Sequence, residues 1–213
     1  MKTEELIAAL AAGGDVVDPG SAARRHAGAM AVAVLAALLM TLGLLGLQPA
    51  LPSEALIPMF WVREAFCAAL AAAGLLGAAR LSRPGAPLGL APAAIAAPLL
   101  ILWALALGQL MVAAPQERLN LVLGQTARVC PFLIAMISTP LFVAIFRIMR
   151  SLAPTRLRLA GAAGGFAAGA MAALLYTLHC PELAAPFLGI WYLLGILMPT
   201  ALGAVLGPRL LRW

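Results

Sequence analysis

Six charge-poor apolar runs decide what this chain can fold into. They fall at about 27–48, 56–79, 92–114, 130–149, 159–178 and 184–207, each near the ~20 residues a helix needs to cross ~30 Å of hydrocarbon. In lipid a lone segment of that length satisfies its backbone N–H and C=O groups only as a helix. The expected fold is therefore an all-α integral membrane protein, a six-transmembrane-helix bundle. Composition agrees, with 64% hydrophobic and 10% charged residues against roughly a quarter charged in an average soluble domain. Too few charges remain to cover a water-facing surface. Residues 27–213 read as one membrane domain preceded by a tail, residues 1–26. That tail is far longer than the n-region of a signal peptide, so no cleaved leader is expected.

An even number of spans puts both termini on one side, and the basic residues say which. Lys2, Arg24, Arg25, Arg80, Arg83, Arg147, Arg150, Arg156, Arg158, Arg209 and Arg212 fall on the face shared by the termini, while Arg63, Arg118 and Arg128 fall on or near the other. The positive-inside rule makes the first face cytoplasmic, an N-in/C-in topology. The net charge of +6 is thus topological. It sits at span ends and forms no folded basic surface, so no direct nucleic-acid partner is expected. Small residues at helix-packing spacing (Gly161, Gly165, Ala168 and Gly169, then Gly203 and Gly207) predict close helix contacts in the last two spans.

Two of the three cysteines share a depth. Cys130 lies in Arg128-Val129-Cys130-Pro131 and Cys180 in His179-Cys180-Pro181-Glu182, equally far in sequence from Thr155 in the connection between spans four and five. An antiparallel hairpin folded there brings both to the outer face, the periplasmic one in a Gram-negative host, where the compartment is oxidising. Pro131 suits the first helical position, which puts Cys130 at the N-cap. There the helix dipole and nearby Arg128 favour a reactive thiolate, whereas Cys180, at a carbonyl end beside Glu182, is the expected resolving thiol. A stabilising disulfide and a pair of inert interfacial cysteines are the competing readings. A metal site of Cys130, Cys180, His179 and Glu182 is a further one, although the spacing matches no established ligand motif. Cys67, deep in the second span, reads as a small buried hydrophobe. Arg63 is expected to snorkel to the outer interface beside Trp61, a belt residue.

The tail carries a short amphipathic segment. Thr3 reads as an N-cap, with Glu4 and Glu5 in the first turn, where the dipole favours acids. Leu6, Ile7 and Leu10 share a face with Thr3 at helical spacing. Gly13 and Gly14 are expected to stop the helix, and Asp15 to Gly20 to form an extended strip closing in a turn. With four acids and no arginine before residue 24, the segment suits a soluble partner better than a membrane surface.

These residues together resemble the NrsF-type bacterial membrane anti-sigma factors. The resemblance runs over the chain: the opening Met-Lys-Thr-Glu-Glu-Leu-Ile-Ala-Ala-Leu, six spans, the outer Cys-Pro at 130 and His-Cys-Pro-Glu at 179, Trp191-Tyr192, and the closing Leu-Gly-Pro-Arg-Leu-Leu-Arg-Trp. It implies a multi-pass protein of the bacterial inner membrane that negatively regulates an extracytoplasmic-function sigma factor. The resemblance further implies that the segment around Thr3, Glu4, Glu5, Leu6, Ile7 and Leu10 holds the sigma factor. It makes Cys130 and Cys180 the sites of response to stress, of which metals and oxidants are the thiol-directed kinds; Arg128, His179 and Glu182, by their positions beside the two cysteines, are the candidate supporting residues. No cofactor and no enzyme activity are expected. The competing functions are a small transporter, for which Arg63, Glu64, Gln109, Ser138 and Thr139 are too scattered, and a thiol-redox membrane protein, which would be expected to carry a Cys-x-x-Cys pair.

Overall fold

The computed structural model describes residues 2–12 and 19–212, and the described residues form helices and no strand. Helix α1 spans Thr3–Ala12 and α2 Pro19–Met40, the latter running on through a wider π turn at Thr41–Leu45. A short α3 (Leu51–Glu54) precedes α4 (Pro58–Leu81), α5 (Ala91–Val112), α6 (Pro115–Leu123), α7 (Cys130–Arg150) and α8 (Leu157–Tyr176). A single turn, α9 (Ala185–Phe187), leads through a second π turn at Leu188–Tyr192 into α10 (Leu193–Leu210). Among the described residues, six helices are long and apolar enough to cross a membrane: Ala23–Leu45, α4, α5, α7, α8 and Ala185–Leu210. Proline in the first two positions of α4, α5, α6 and α7 helps fix where they start, because the first-turn N–H it removes has no intrahelical partner anyway.

Helix α8 is the hub. Its glycines and alanines are almost all buried, and they let three neighbours approach. A Cβ on Gly161 would fall on the Gly203 carbonyl, and one on Gly165 on the Pro199 carbonyl, so α8 and α10 meet backbone to backbone. On another side, Gly74 of α4 lies where a Cβ would come within 2.9 Å of Ala167 Cα. On a third, Gly164 leaves room for Met149 and Phe146 of α7. Lipid tails are as apolar as leucine, so such close packing takes the place of hydrophobic burial in driving helix association. Large apolar side chains of the outer helices, among them Val32, Leu35, Leu39, Leu100, Ile101 and Val205, are exposed, as a lipid-facing surface requires.

The bundle has two distinguishable ends. At one, His26 of α2 meets Ser151 after α7, with Nε2 3.2 Å from Oγ. At the other, the Gln48 N–H donates to the Leu178 carbonyl at 3.0 Å, and the starts of α4 and α7 meet the end of α8.

Three local expectations change. Thr3 is the first helical residue and Lys2 the cap, with the Lys2 N–H donating to the Glu5 carboxylate at 3.1 Å; Glu5 thus supplies one arm of a capping box. Pro19 and Gly20 begin α2 instead of closing a turn, so residues 19–26 of the tail are helix continuous with the first span. Gly13, Gly14 and the Asp15–Asp18 strip lie outside the described residues. Finally, the connection after α5 holds α6, a helix the apolar periodicity did not reveal.

The α8–α10 seam is the sensitive point of this architecture. Gly203→Val should lower thermal stability in lipid nanodiscs by about 1–3 kcal/mol or more, since a backbone carbonyl cannot move aside as a side chain can. Gly28→Ala, with nothing within 4 Å of its added Cβ, should stay within about 0.5 kcal/mol of the parent. Equal melting of the two variants would refute the seam.

Candidate functional site

Cys130 and Cys180 come together at one end of the bundle. Cys130 is the first residue of α7, one step inside the cap, with its N–H donating to the Thr126 carbonyl at 2.9 Å. Pro131 follows at the second position. The expected N-cap geometry is therefore displaced by one residue: Val129 is the cap, and the Cys130 amide is already bonded to the preceding turn. Cys180 closes the last turn of α8, its N–H donating to the Tyr176 carbonyl at 3.1 Å. Both cysteines are fully buried and free, as is Cys67, and the sulfurs of 130 and 180 are close enough to interact directly. The Thr126 hydroxyl lies 3.9 Å from Cys180 Sγ.

Four attachments hold the strip from Leu178 to Leu183 in place. The Glu182 carboxylate accepts the Gln125 N–H at 2.6 Å, with the Thr126 N–H and hydroxyl at 3.3 and 3.5 Å. Gly124 makes this docking feasible: its φ is +53°, and a Cβ there would come within 2.6 Å of the Glu182 carboxyl group. From α4, Arg63 Nη1 donates to the Cys180 carbonyl at 2.8 Å and the Glu182 carbonyl at 3.3 Å. From α2 and its exit come the Gln48–Leu178 bond and a 3.2 Å contact between His179 Nδ1 and the Gly46 carbonyl. His179 and Glu182 thus bind backbone on neighbouring segments. Among the described residues, no three His, Cys, Asp or Glu side chains converge as metal ligands would.

Arg63 is the residue of this end that sequence reasoning misplaced. It does not reach the interface; its side chain is fully buried. Nε pairs with Glu64 at 3.3 Å, and the guanidinium lies 5.1 Å from the Phe60 ring centroid. The Thr177 hydroxyl donates to Glu64 at 3.0 Å, tying the pair to the end of α8. An ionisable residue inside a membrane bundle persists when carboxylates and carbonyls compensate it, and here the compensating carbonyls belong to the cysteine strip. Arg63 Nη2 and the hydroxyls of Tyr176 and Tyr192 are buried without a hydrogen-bond partner among the described residues. Trp61, by contrast, is 62% exposed with its indole N–H on the Ala55 carbonyl, as a belt residue should be.

The Cys130 thiol donating to Cys180 lowers the latter to about 6 against the opposing pull of burial, and the Glu182 backbone amide adds to the lowering. Arg128, expected to favour a thiolate on Cys130, is exposed.

The sequence matches the family described as "Negative regulator of sigma F" over residues 10–213. The chain belongs to the NrsF family. It is 52% identical over 213 residues to the "Probable anti-sigma-F factor NrsF" of Azospira oryzae and 38% identical over 215 residues to the "Anti-sigma-F factor NrsF" of Caulobacter vibrioides, each alignment covering all of both chains. No solved structure matches. Both NrsF relatives are therefore full-length counterparts that include the region of α1, which lies almost wholly before the first residue matched by the family. Within α1, the Thr3, Glu4, Glu5, Leu6 and Ile7 side chains are exposed, Leu6 by 42% and Ile7 by 61%. The structure thus separates the two sets of expected site residues: the cysteines are interior, and α1 presents an uncovered face.

Losing the Glu182 carboxylate should open the thiol end without unfolding the bundle. Glu182→Ala removes the acceptor for two backbone N–H groups, a loss of about 1–3 kcal/mol. Alkylation of Cys180 by N-ethylmaleimide should then speed up at least about tenfold, the factor that ~1.4 kcal/mol of easier local opening gives. An unchanged rate would mean that Glu182 does not hold the strip closed.

Proposed function

We propose that this chain is an anti-sigma factor that holds an extracytoplasmic-function sigma factor at the bacterial inner membrane and releases it when Cys130 and Cys180 are modified. In this reading residues 1–26 are the sigma-binding tail, on the cytoplasmic side, and residues 27–213 the membrane domain. The relatives' printed names describe a regulatory role and supply the sigma-F partner class. The carrying observation is α1, whose acidic first turn and exposed Leu6 and Ile7 find no cover within the described residues. An amphipathic helix of this kind fits a groove, with Leu6, Ile7 and Leu10 as anchors and Thr3, Glu4 and Glu5 meeting a basic rim. The arginine asymmetry supports the orientation, placing both cysteines on the side where an external thiol reagent arrives.

Coupling between the ends has a candidate carrier. Helix α2 leads from the tail to the cysteine end, where Gly46 and Gln48 bond directly to His179 and Leu178. Joining Cys130 to Cys180, or modifying either, changes the packing of the strip that these bonds grip. A shift of α2 then alters how α1 is presented. The two states must differ in sigma affinity, with each tenfold loss corresponding to ~1.4 kcal/mol.

The test uses the intact protein in nanodiscs and the purified sigma-F-type factor from the same genome. Reduced protein should bind it, Ile7→Asp should weaken binding at least about tenfold, and oxidation should weaken the parent but not Cys130→Ser or Cys180→Ser. Absence of binding in every redox state would sink the anti-sigma reading. Equal loss of binding in parent and cysteine variants would sink the sensor alone.

A further inference from the structure

Helices α2 and α7 run antiparallel without closing on each other along their whole length. They meet at His26 and Ser151, and Ala33 and Ala37 of α2 are buried. Beside that line a groove of about 640 Å³ stays open, walled by Gly28, Ala36 and Met40 on α2 and by Pro140, Val143 and Arg147 on α7. Its mouth at Arg147 is one turn from the end of α7, and its inner end at Pro140 is the midpoint of that helix, Cys130–Arg150. From Gly28 to Met40 it follows α2 for ~18 Å, close to the ~15 Å of hydrocarbon in one leaflet.

The walls are apolar up to the mouth. Thr139 lines the inner end, but its hydroxyl donates to the Met136 carbonyl at 2.8 Å, the acceptor that Pro140, having no N–H, leaves open. A Cβ on Gly28 would meet nothing within 4 Å, so the space is clear beside the mouth. There Arg147 is exposed, and its guanidinium meets no acceptor among the described residues.

We propose that this groove seats one acidic phospholipid of the leaflet on the tail side, with its phosphate on Arg147 and an acyl chain running between α2 and α7 toward Pro140. The inference goes beyond the regulatory reading and rests only on residues 27–213 being embedded in a membrane.

Shape, charge and neighbours select that occupant. The groove is far slimmer than a helix, ~10 Å across, so it takes a flexible chain in preference to a helix from a second copy. A guanidinium presents paired N–H donors that fit a phosphate, and basic pockets between spans at the cytoplasmic surface are where phospholipid headgroups bind. Arg24 and Arg25 lie on α2 one turn before the groove and Arg150 on α7 one turn beyond Arg147, and no acid is among its lining residues. A headgroup that brings its own cation is repelled at such a mouth; one that carries only the phosphate charge is not. The grooves between α4 and α5 and between α7 and α10 have no charged residue in their walls, so ordinary lipid cover satisfies them. An occupant of the α2–α7 groove touches both the helix that leads from the tail and the helix that begins at Cys130.

The test places the full-length protein in nanodiscs of equal parts phosphatidylglycerol, phosphatidylethanolamine and phosphatidylcholine. Native mass spectrometry then counts the lipids that stay bound on release. One phosphatidylglycerol should be retained per chain, at least about fivefold over either other lipid. Arg147→Gln should lower that retention at least about tenfold and Arg147→Lys by less, since an ammonium keeps the charge but not the fork. Arg150→Gln removes the same charge from the same end outside the groove, and should leave retention within about twofold. Ala36→Leu, which fills the groove and leaves every charge in place, should also lower it.

Equal loss in Arg147→Gln and Arg150→Gln would make the attraction a property of the charged surface and overturn the seat. Phosphatidylethanolamine retained as well as phosphatidylglycerol would overturn the acidic selection. A retained dimer that Ala36→Leu dissociates would give the groove to a second copy and overturn the proposal. Should the variants fail to insert, the unsubstituted protein decides: phosphatidylglycerol with a diazirine in its acyl chain should label residues 28–40 and 139–147 above the other spans, and labelling spread evenly over the spans would overturn the seat. No sigma factor enters the measurement, so its failure leaves the anti-sigma reading standing, and a chain that binds no sigma factor can still retain the lipid.

Discussion

Backbone contact between α8 and its neighbours is the constraint on which the remainder of the structure depends. In lipid, apolar side chains gain nothing by leaving one apolar surface for another, so helices associate through packing and internal polar bonds. The sequence meets that demand with Gly161, Gly165 and Gly203 at one seam and Gly74 at another. With α8 seated against α10, α4 and α7, its last turn has no freedom of position. Cys180, whose N–H closes that turn on the Tyr176 carbonyl, is delivered to Cys130 as a consequence of the packing.

The same packing makes a buried arginine tolerable. Arg63 would be costly on an isolated span, where the main-chain carbonyls that meet it here would be absent. Seated against the end of α8, it finds Glu64 on its own helix and two main-chain carbonyls on the strip that follows. Each therefore needs the other: the strip is held by Arg63, and the buried Arg63 has its carbonyl partners because the strip is there. A substitution at either place acts on both, and this interdependence ties the state of the cysteines to the geometry of α4.

What could be read from the sequence was what depends on local or periodic properties. Spans are lengths of apolar chain, and close helix seams are glycine spacings; both were legible, as was the depth match of Cys130 and Cys180 about Thr155. Arg63 was not, because its partners lie well over a hundred residues further on, and a charged residue near a span end looks the same whether it snorkels or is enclosed. The cap at Cys130 failed by one residue, since proline is accepted at either of the first two helical positions and Thr126 took the amide. Helix α6 carried its own signals in Pro115, Glu117 and Gly124, but nine residues of mixed polarity between spans do not stand out beside runs twice as long.

The geometry also constrains how any signal must behave. The tail and the cysteines sit at opposite ends of α2, so under the proposed function they are two sites coupled through one element, and such coupling is reciprocal. If closing the disulfide weakens sigma binding tenfold, then bound sigma makes the disulfide harder to form by the same ~1.4 kcal/mol, which for a two-electron couple is ~30 mV. A membrane anti-sigma factor with its partner in place would therefore be slightly more resistant to oxidation than an empty one. The pool carrying sigma would respond last and the unoccupied pool first, which sets a threshold on the oxidant before any sigma is freed. That threshold needs no added component: it follows from placing an interior thiol pair and an exposed helix at the two ends of α2.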